Sequence, residues 1–141
     1  MLTIQRLSYD DAAILIGGAE AKAQKIGVPM CIAVVDESGH LIAFKRMDHG
    51  KALSTTLAQD KAYTSAISRK STADYNEAAV PGSLVNGIQM AAGGRFSTVG
   101  GGIPVVVDGT VVGAIGLSGG APEQDIACAE AGLRAFEGSQ D

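Results

Sequence analysis

Apolar residues recur in this chain with two periods, one helical and one extended, and the changes between them mark its elements. Ala12, Leu15, Ile16, Ala19, Ala23 and Ile26 fall on one stripe of a helix. Ser8 precedes them as a cap, and Asp10 and Asp11 place negative charge at the positive end of the helix dipole. Gly27 and Pro29 stop it. Residues 30–35 are apolar at every position, the pattern of a strand buried on both faces. Asp36-Glu37-Ser38-Gly39 turns the chain into a second strand at 40–46.

The spacing predicts a second helix over 52–69, in which Ser54, Ala58, Ala62 and Ala66 repeat every four positions along one face. Such a face permits close approach to a sheet. Ser71 with Asp74 predicts the capped start of a short third helix, and 84–92 a further helical turn. Strands are expected at 95–99, 104–107 and 111–118. Asp108-Gly109 between the last two is a hairpin signal, because both central residues of the favoured turn need φ > 0. Pro122, with Glu123 and Asp125 in the first turn, opens the last helix. The order α-β-β-α-α-β-β-β-α predicts one α+β domain over 1–141 with an antiparallel sheet.

Charge and composition narrow the function. The net charge of −4 and the absence of any long basic run exclude nucleic acid and an anionic membrane as expected partners. No apolar run reaches the length of a membrane span, and no basic segment leads into an apolar one at the start, so a cytoplasmic location is expected. Cys31 and Cys128 sit in apolar surroundings and are read as buried free thiols. Apolar content is high for a small domain, and strands apolar on both faces need cover on both sides. A homo-oligomer is therefore expected.

The chemistry-bearing residues cluster at turns. Gly116-Leu117-Ser118-Gly119-Gly120 matches the nucleophile elbow G-x-S-x-G, yet no histidine follows Ser118 to complete a triad. The better reading is an anion-binding turn at a helix start, with Ser118 and Gly119 beside the donors of Gly101 and Gly102. Arg46, Lys61 and Arg95 are cations in otherwise apolar segments, each solvated or ion-paired by itself and together suited to a carboxylate ligand. His40 and His49 are the two histidines and have no metal spacing, so no metal site is expected. His49, with Asp48 or Glu37 as partner, is the candidate proton carrier.

VVDESGHLIAFKRMD (34–48), QDKAYTSA (59–66) and GGGIPVVVDGTVVGAIGLSGGAPEQD (100–125) resemble the GlcG/HbpS family, also called the haem-degrading domain family. The matching positions are Arg46, Asp48, Lys61, Arg95, Gly100 to Gly102, Gly119 and Asp125. The resemblance implies a profilin-like α+β domain, its central five-stranded antiparallel sheet flanked by helices on both sides, and a homo-oligomer. Some members bind haem or a corrinoid; others are cytoplasmic and stand near catabolic genes for small organic acids. The first expectation is a protein that binds or transforms a carboxylated, unsaturated organic acid by hydrolysis, deamination or tautomerisation, with no cofactor. The alternative is haem or corrinoid binding through His49, His40 or a tyrosine. A non-catalytic oligomeric accessory protein is the third reading.

Overall fold

The computed structural model describes residues 1–140. Helix α1 (Tyr9–Ile26) leads to a hairpin of β1 (Cys31–Asp36) and β2 (Leu41–Arg46), followed by α2 (Ala52–Ser68). The second hairpin, β3 (Gly102–Val107) and β4 (Thr110–Ser118), precedes α3 (Pro122–Ser139). The four strands form one antiparallel sheet in the order β2-β1-β4-β3. Local signals act as the pattern requires. Ser8 and Asp11 close a capping box on α1, Gly27 ends it in the left-handed region, and Asp108 and Gly109 turn with φ of 49° and 77°. Among the described residues, no helix is long and apolar enough to cross a membrane.

The two faces of the sheet are covered differently. Leu15, Ala19, Ala23, Cys128, Ala129 and Phe136 of α1 and α3 pack on Ile32, Val34, Ile115 and Leu117. On the other face Ala58, Ala62 and Ala66 of α2 meet Cys31, Ala33, Val35 and Ala114. That second contact is backbone-close because Gly102 and Gly116 stand opposite one another in the ladder beneath α2. A methyl added at Gly116 would lie 2.2 Å from the Ala58 carbonyl oxygen, and one at Gly102 2.3 Å from that of Lys61. Both cysteines are buried and free.

The sheet has four strands where five were expected. Residues 95–99 form no strand, and Ser97 N donates instead to a helix side chain, Thr64 Oγ1 (2.8 Å), whose hydroxyl donates to the Asp60 carbonyl of its own helix (2.8 Å). The expected third helix is a single 3-10 turn, Thr72–Tyr75, and the Ser71 side chain makes no capping bond. Only short 3-10 turns, Ile88–Met90 and Ala92–Gly94, occupy the next expected helical stretch.

Candidate functional site

The glycine-rich stretch turns its donors inward. Gly102 N donates to Thr72 Oγ1 (3.0 Å) and the Gly101 carbonyl accepts from Leu117 N (2.9 Å). Gly120 N donates to Asp125 Oδ1 and Ala121 N to Gln124 Oε1, both at 2.9 Å. Ser118 is buried and its hydroxyl donates to Ser54 Oγ (3.2 Å). A methyl at Gly119 would lie 2.3 Å from the Pro29 carbonyl oxygen. Glycine at these positions allows segments to pack backbone to backbone. Of the anion cradle expected of Gly101, Gly102, Ser118 and Gly119, the Gly102 N–H and the Ser118 hydroxyl are already paired within the fold.

Lys61 is likewise committed. Its side chain is 2% exposed, and its ammonium donates to Asp125 Oδ2 and to the Leu117 carbonyl, both at 2.9 Å. Burial raises the Asp125 carboxyl above its ordinary range, opposed by the Lys61 and Gly120 donors. This pair ties α2 on one face of the sheet to the start of α3 on the other. Buried and held by two bonds, the Lys61 ammonium is not presented to solvent-borne carboxylates.

The proposed His49–Asp48–Glu37 group does not assemble. His49 is exposed at the turn after β2, with φ of 71°, and Asp48 is exposed beside it. Glu37 lies at the opposite end of β2, about 20 Å of extended chain away. There it takes two hydrogen bonds from the Arg6 guanidinium, which hold its carboxyl down at about 2. Arg46 Nε donates to the Gly50 carbonyl (3.0 Å), and the Arg46 side chain lines a cleft of about 380 Å³ with Glu20, Gln24, Lys45 and Asp48. Lys45 is paired with Glu20 across that cleft.

Arg95 lines a separate pocket of about 410 Å³ between α2 and the start of β2, with Val35, His40, Leu41, Thr56, Gln59 and Asp60. Its guanidinium carbon lies 3.9 Å from the centre of the Tyr63 ring, and its Nε donates to Asp60 Oδ1 (3.1 Å). One carboxylate oxygen therefore fixes the Arg95 fork, and Tyr63 supports it from behind. The turn carrying His40 is fixed as firmly. Asp36 Oδ1 accepts from Ser38 N (2.8 Å) and His40 N (3.0 Å), and Gly39, with φ of 85°, lies where a methyl would strike the Tyr63 ring. Among the described residues, no hydrogen bond or ion pair engages the His40 imidazole. Arg46, Lys61 and Arg95 thus go to three places, and it is His40 that joins Arg95. The sequence signal for it was the Asp36-x-Ser38-Gly39-His40 turn, in which an aspartate accepts from backbone two and four residues on.

A four-stranded antiparallel sheet between one helix and two makes this an α+β domain, with His40 and Arg95 lining one of its pockets. The family described as haem degrading protein HbpS-like matches residues 7–134, and this chain belongs to it. It is 40% identical over 117 residues to a 15.0 kDa protein from the dhaT-dhaS intergenic region of Citrobacter freundii, covering 83% of this chain and 82% of that one. Protein GlcG of Escherichia coli K12 is 37% identical over 114 residues, 79% of this chain and 81% of GlcG. The corrinoid adenosyltransferase PduO of Salmonella typhimurium is 32% identical over 92% of this chain, which spans 39% of PduO. Among solved structures, Klebsiella pneumoniae ORFY superposes with a TM-score of 0.95 at 31% identity, covering 97% of this chain and 94% of that one. The PduOC:heme complex does so with 0.89 at 32% identity, covering 92% and 94%.

Proposed function

We propose that this protein binds a tetrapyrrole, haem foremost, in the pocket between α2 and the start of β2. The carrying observation is the His40 imidazole, free of hydrogen bonds among the described residues and lining the same pocket as Arg95. A haem site is served by an axial donor side chain free to reach the iron, such as a histidine, by apolar side chains against the macrocycle and by cations for the propionates. The residues present fit that requirement. His40 would supply the axial nitrogen, Val35 and Leu41 apolar contact, and Arg95 a propionate pair through the terminal nitrogens that Asp60 leaves free. When bound, haem would bring redox-active iron to the site. A relative of 32% identity, crystallised as a haem complex, supports the reading, as does the corrinoid enzyme PduO. The cofactor-free expectation therefore takes second place.

A second reading is favoured by the polar lining of Thr56, Gln59 and Asp60 and by a volume of about 410 Å³. On this reading the ligand is a small carboxylate. Arg95 binds it and His40 moves a proton during hydrolysis, deamination or tautomerisation.

Haemin titration followed at the Soret band separates the two. We expect a saturable shift at one equivalent per subunit, lost in His40→Ala and kept in His49→Ala. Arg95→Ala should weaken binding about tenfold, as expected for one charge-assisted hydrogen bond. No saturable shift, or a shift unchanged in His40→Ala, overturns the haem reading. Turnover or saturable binding of an unsaturated carboxylic acid, lost in Arg95→Ala, would then support the second.

A further inference from the structure

We propose that the cleft between the end of α1 and the end of β2 is a second small-ligand site, and that its ligand is a zwitterion, an apolar α-amino acid. The cleft shares no lining residue with the pocket of His40 and Arg95, which lies at the other end of β2 and against α2. Its volume of about 380 Å³ falls within the range of small-molecule sites.

The turn after β2 builds its polar wall. Met47 N donates to the Met30 carbonyl (3.0 Å), Met30 N to Met47 Sδ (3.3 Å), and Gly50 N to the Met47 carbonyl (2.9 Å). The Gly50 carbonyl then accepts from Arg46 Nε (3.0 Å). A methyl at Gly50 would lie 2.9 Å from the Met47 carbonyl oxygen, so this closure calls for glycine. His49 completes the turn with φ of 71°, a left-handed conformation that strains a residue with a Cβ. What the strained turn fixes is the Arg46 fork. Its Nε is tied to the backbone, and among the described residues no hydrogen bond or ion pair engages its terminal nitrogens.

The chemistry of the ligand follows from the charges left unpaired. Lys45 and Glu20 of the lining neutralise each other. Arg46 remains, with two nitrogens in the geometry that matches a carboxylate. Asp48 remains too, its carboxylate engaged by no hydrogen bond or ion pair among the described residues. The end of α1, where the helix dipole is negative, lies on the same lining at Gln24, Gly27 and Val28. A simple carboxylate would satisfy Arg46 but be repelled by Asp48 and the helix end. A simple amine would meet the reverse. A carboxylate and an ammonium on one carbon satisfy both. Ala23, Pro29 and Met47 supply apolar lining for a side chain on that same carbon.

Isothermal titration calorimetry with L-leucine gives the test, with isocaproate and isoamylamine as the same skeleton lacking the ammonium or the carboxylate. Saturable binding of L-leucine is expected, with each analogue about tenfold weaker through the loss of one charge-assisted contact. Asp48→Asn should weaken L-leucine about tenfold and remove its advantage over isocaproate. Arg46→Gln should remove its advantage over isoamylamine. Because the Asp48 side chain makes no bond within the described residues, Asp48→Asn keeps the fold, and far-UV circular dichroism verifies both variants. No saturable binding of L-leucine, isocaproate bound as tightly as L-leucine by the wild type, or wild-type affinity in Asp48→Asn each overturns the proposal.

Discussion

At the scale of single residues, the Arg6–Glu37 pair is the clearest case of a charged side chain whose partner decides its behaviour. Glu37 is candidate proton chemistry by composition alone, yet Arg6, thirty-one residues away, donates two hydrogen bonds to it. These lower its pKa from 4.5 to about 2 in the folded chain. A carboxyl with a depressed folded pKa contributes stability above its unfolded value and loses that contribution as pH falls. The melting temperature is therefore expected to decline as pH is lowered from about 4.5 towards 2. Glu37→Gln should flatten that part of the profile in a thermal melt series. His40 and His49 illustrate the same lesson. Both are exposed, but the Asp36 carboxylate and Gly39 fix the turn that places His40 on the lining of the Arg95 pocket, whereas His49 stands on the turn after β2, away from it.

At the scale of elements, α2 depends on what its neighbours lack. Its stripe of Ala58, Ala62 and Ala66 was legible as a close-packing face, and it does pack closely. The matching glycines are on strands, where glycine is ordinarily unfavourable, so Gly102 and Gly116 are explained only once α2 is laid across them. Gly116→Ala forces a methyl into the space held by the Ala58 carbonyl and the Ala62 backbone. We expect it to cost about 1–3 kcal/mol in urea unfolding. The contrast is Gly17→Ala on the exposed side of α1, where a methyl meets nothing within 4 Å. That change should stabilise by roughly 0.5–1 kcal/mol through helix propensity. The unformed strand at 95–99 belongs here too. Its pattern was compatible with a strand, but Thr64 on α2 accepts the Ser97 N–H that a ladder would have used.

At the scale of the whole molecule, the Lys61–Asp125 pair joins the two layers around the end of β4. Removing one partner leaves a buried charge alone, which in comparable buried pairs costs about 3–5 kcal/mol. Lys61→Met is expected to fall in that range by urea unfolding. Lys61→Met combined with Asp125→Leu should cost clearly less than the two single losses added, and that double-mutant cycle is the check. The same pair shows why the cationic cluster envisaged from Arg46, Lys61 and Arg95 never forms. One faces a cleft beside α1, one is sealed in the interior, and one enters the pocket of His40.

What the sequence determined by itself is what depends on neighbours along the chain. Helical and extended periods, the Ser8 capping box, the Asp108-Gly109 turn and the long ordered motif at 100–125 are all local. They were enough for the α+β class, for the three long helices and for the family. Only the tertiary structure decided which polar groups remain free to act. Whether a donor is available depends on partners brought together through space, and Lys61 meets Asp125 across sixty-four positions of chain. Burial imposes that pairing, since an unpaired buried charge or N–H costs more than almost any contact returns. The glycine-rich stretch, an anion cradle by its pattern, therefore became a packing seam. The free imidazole of His40 came to mark the pocket instead.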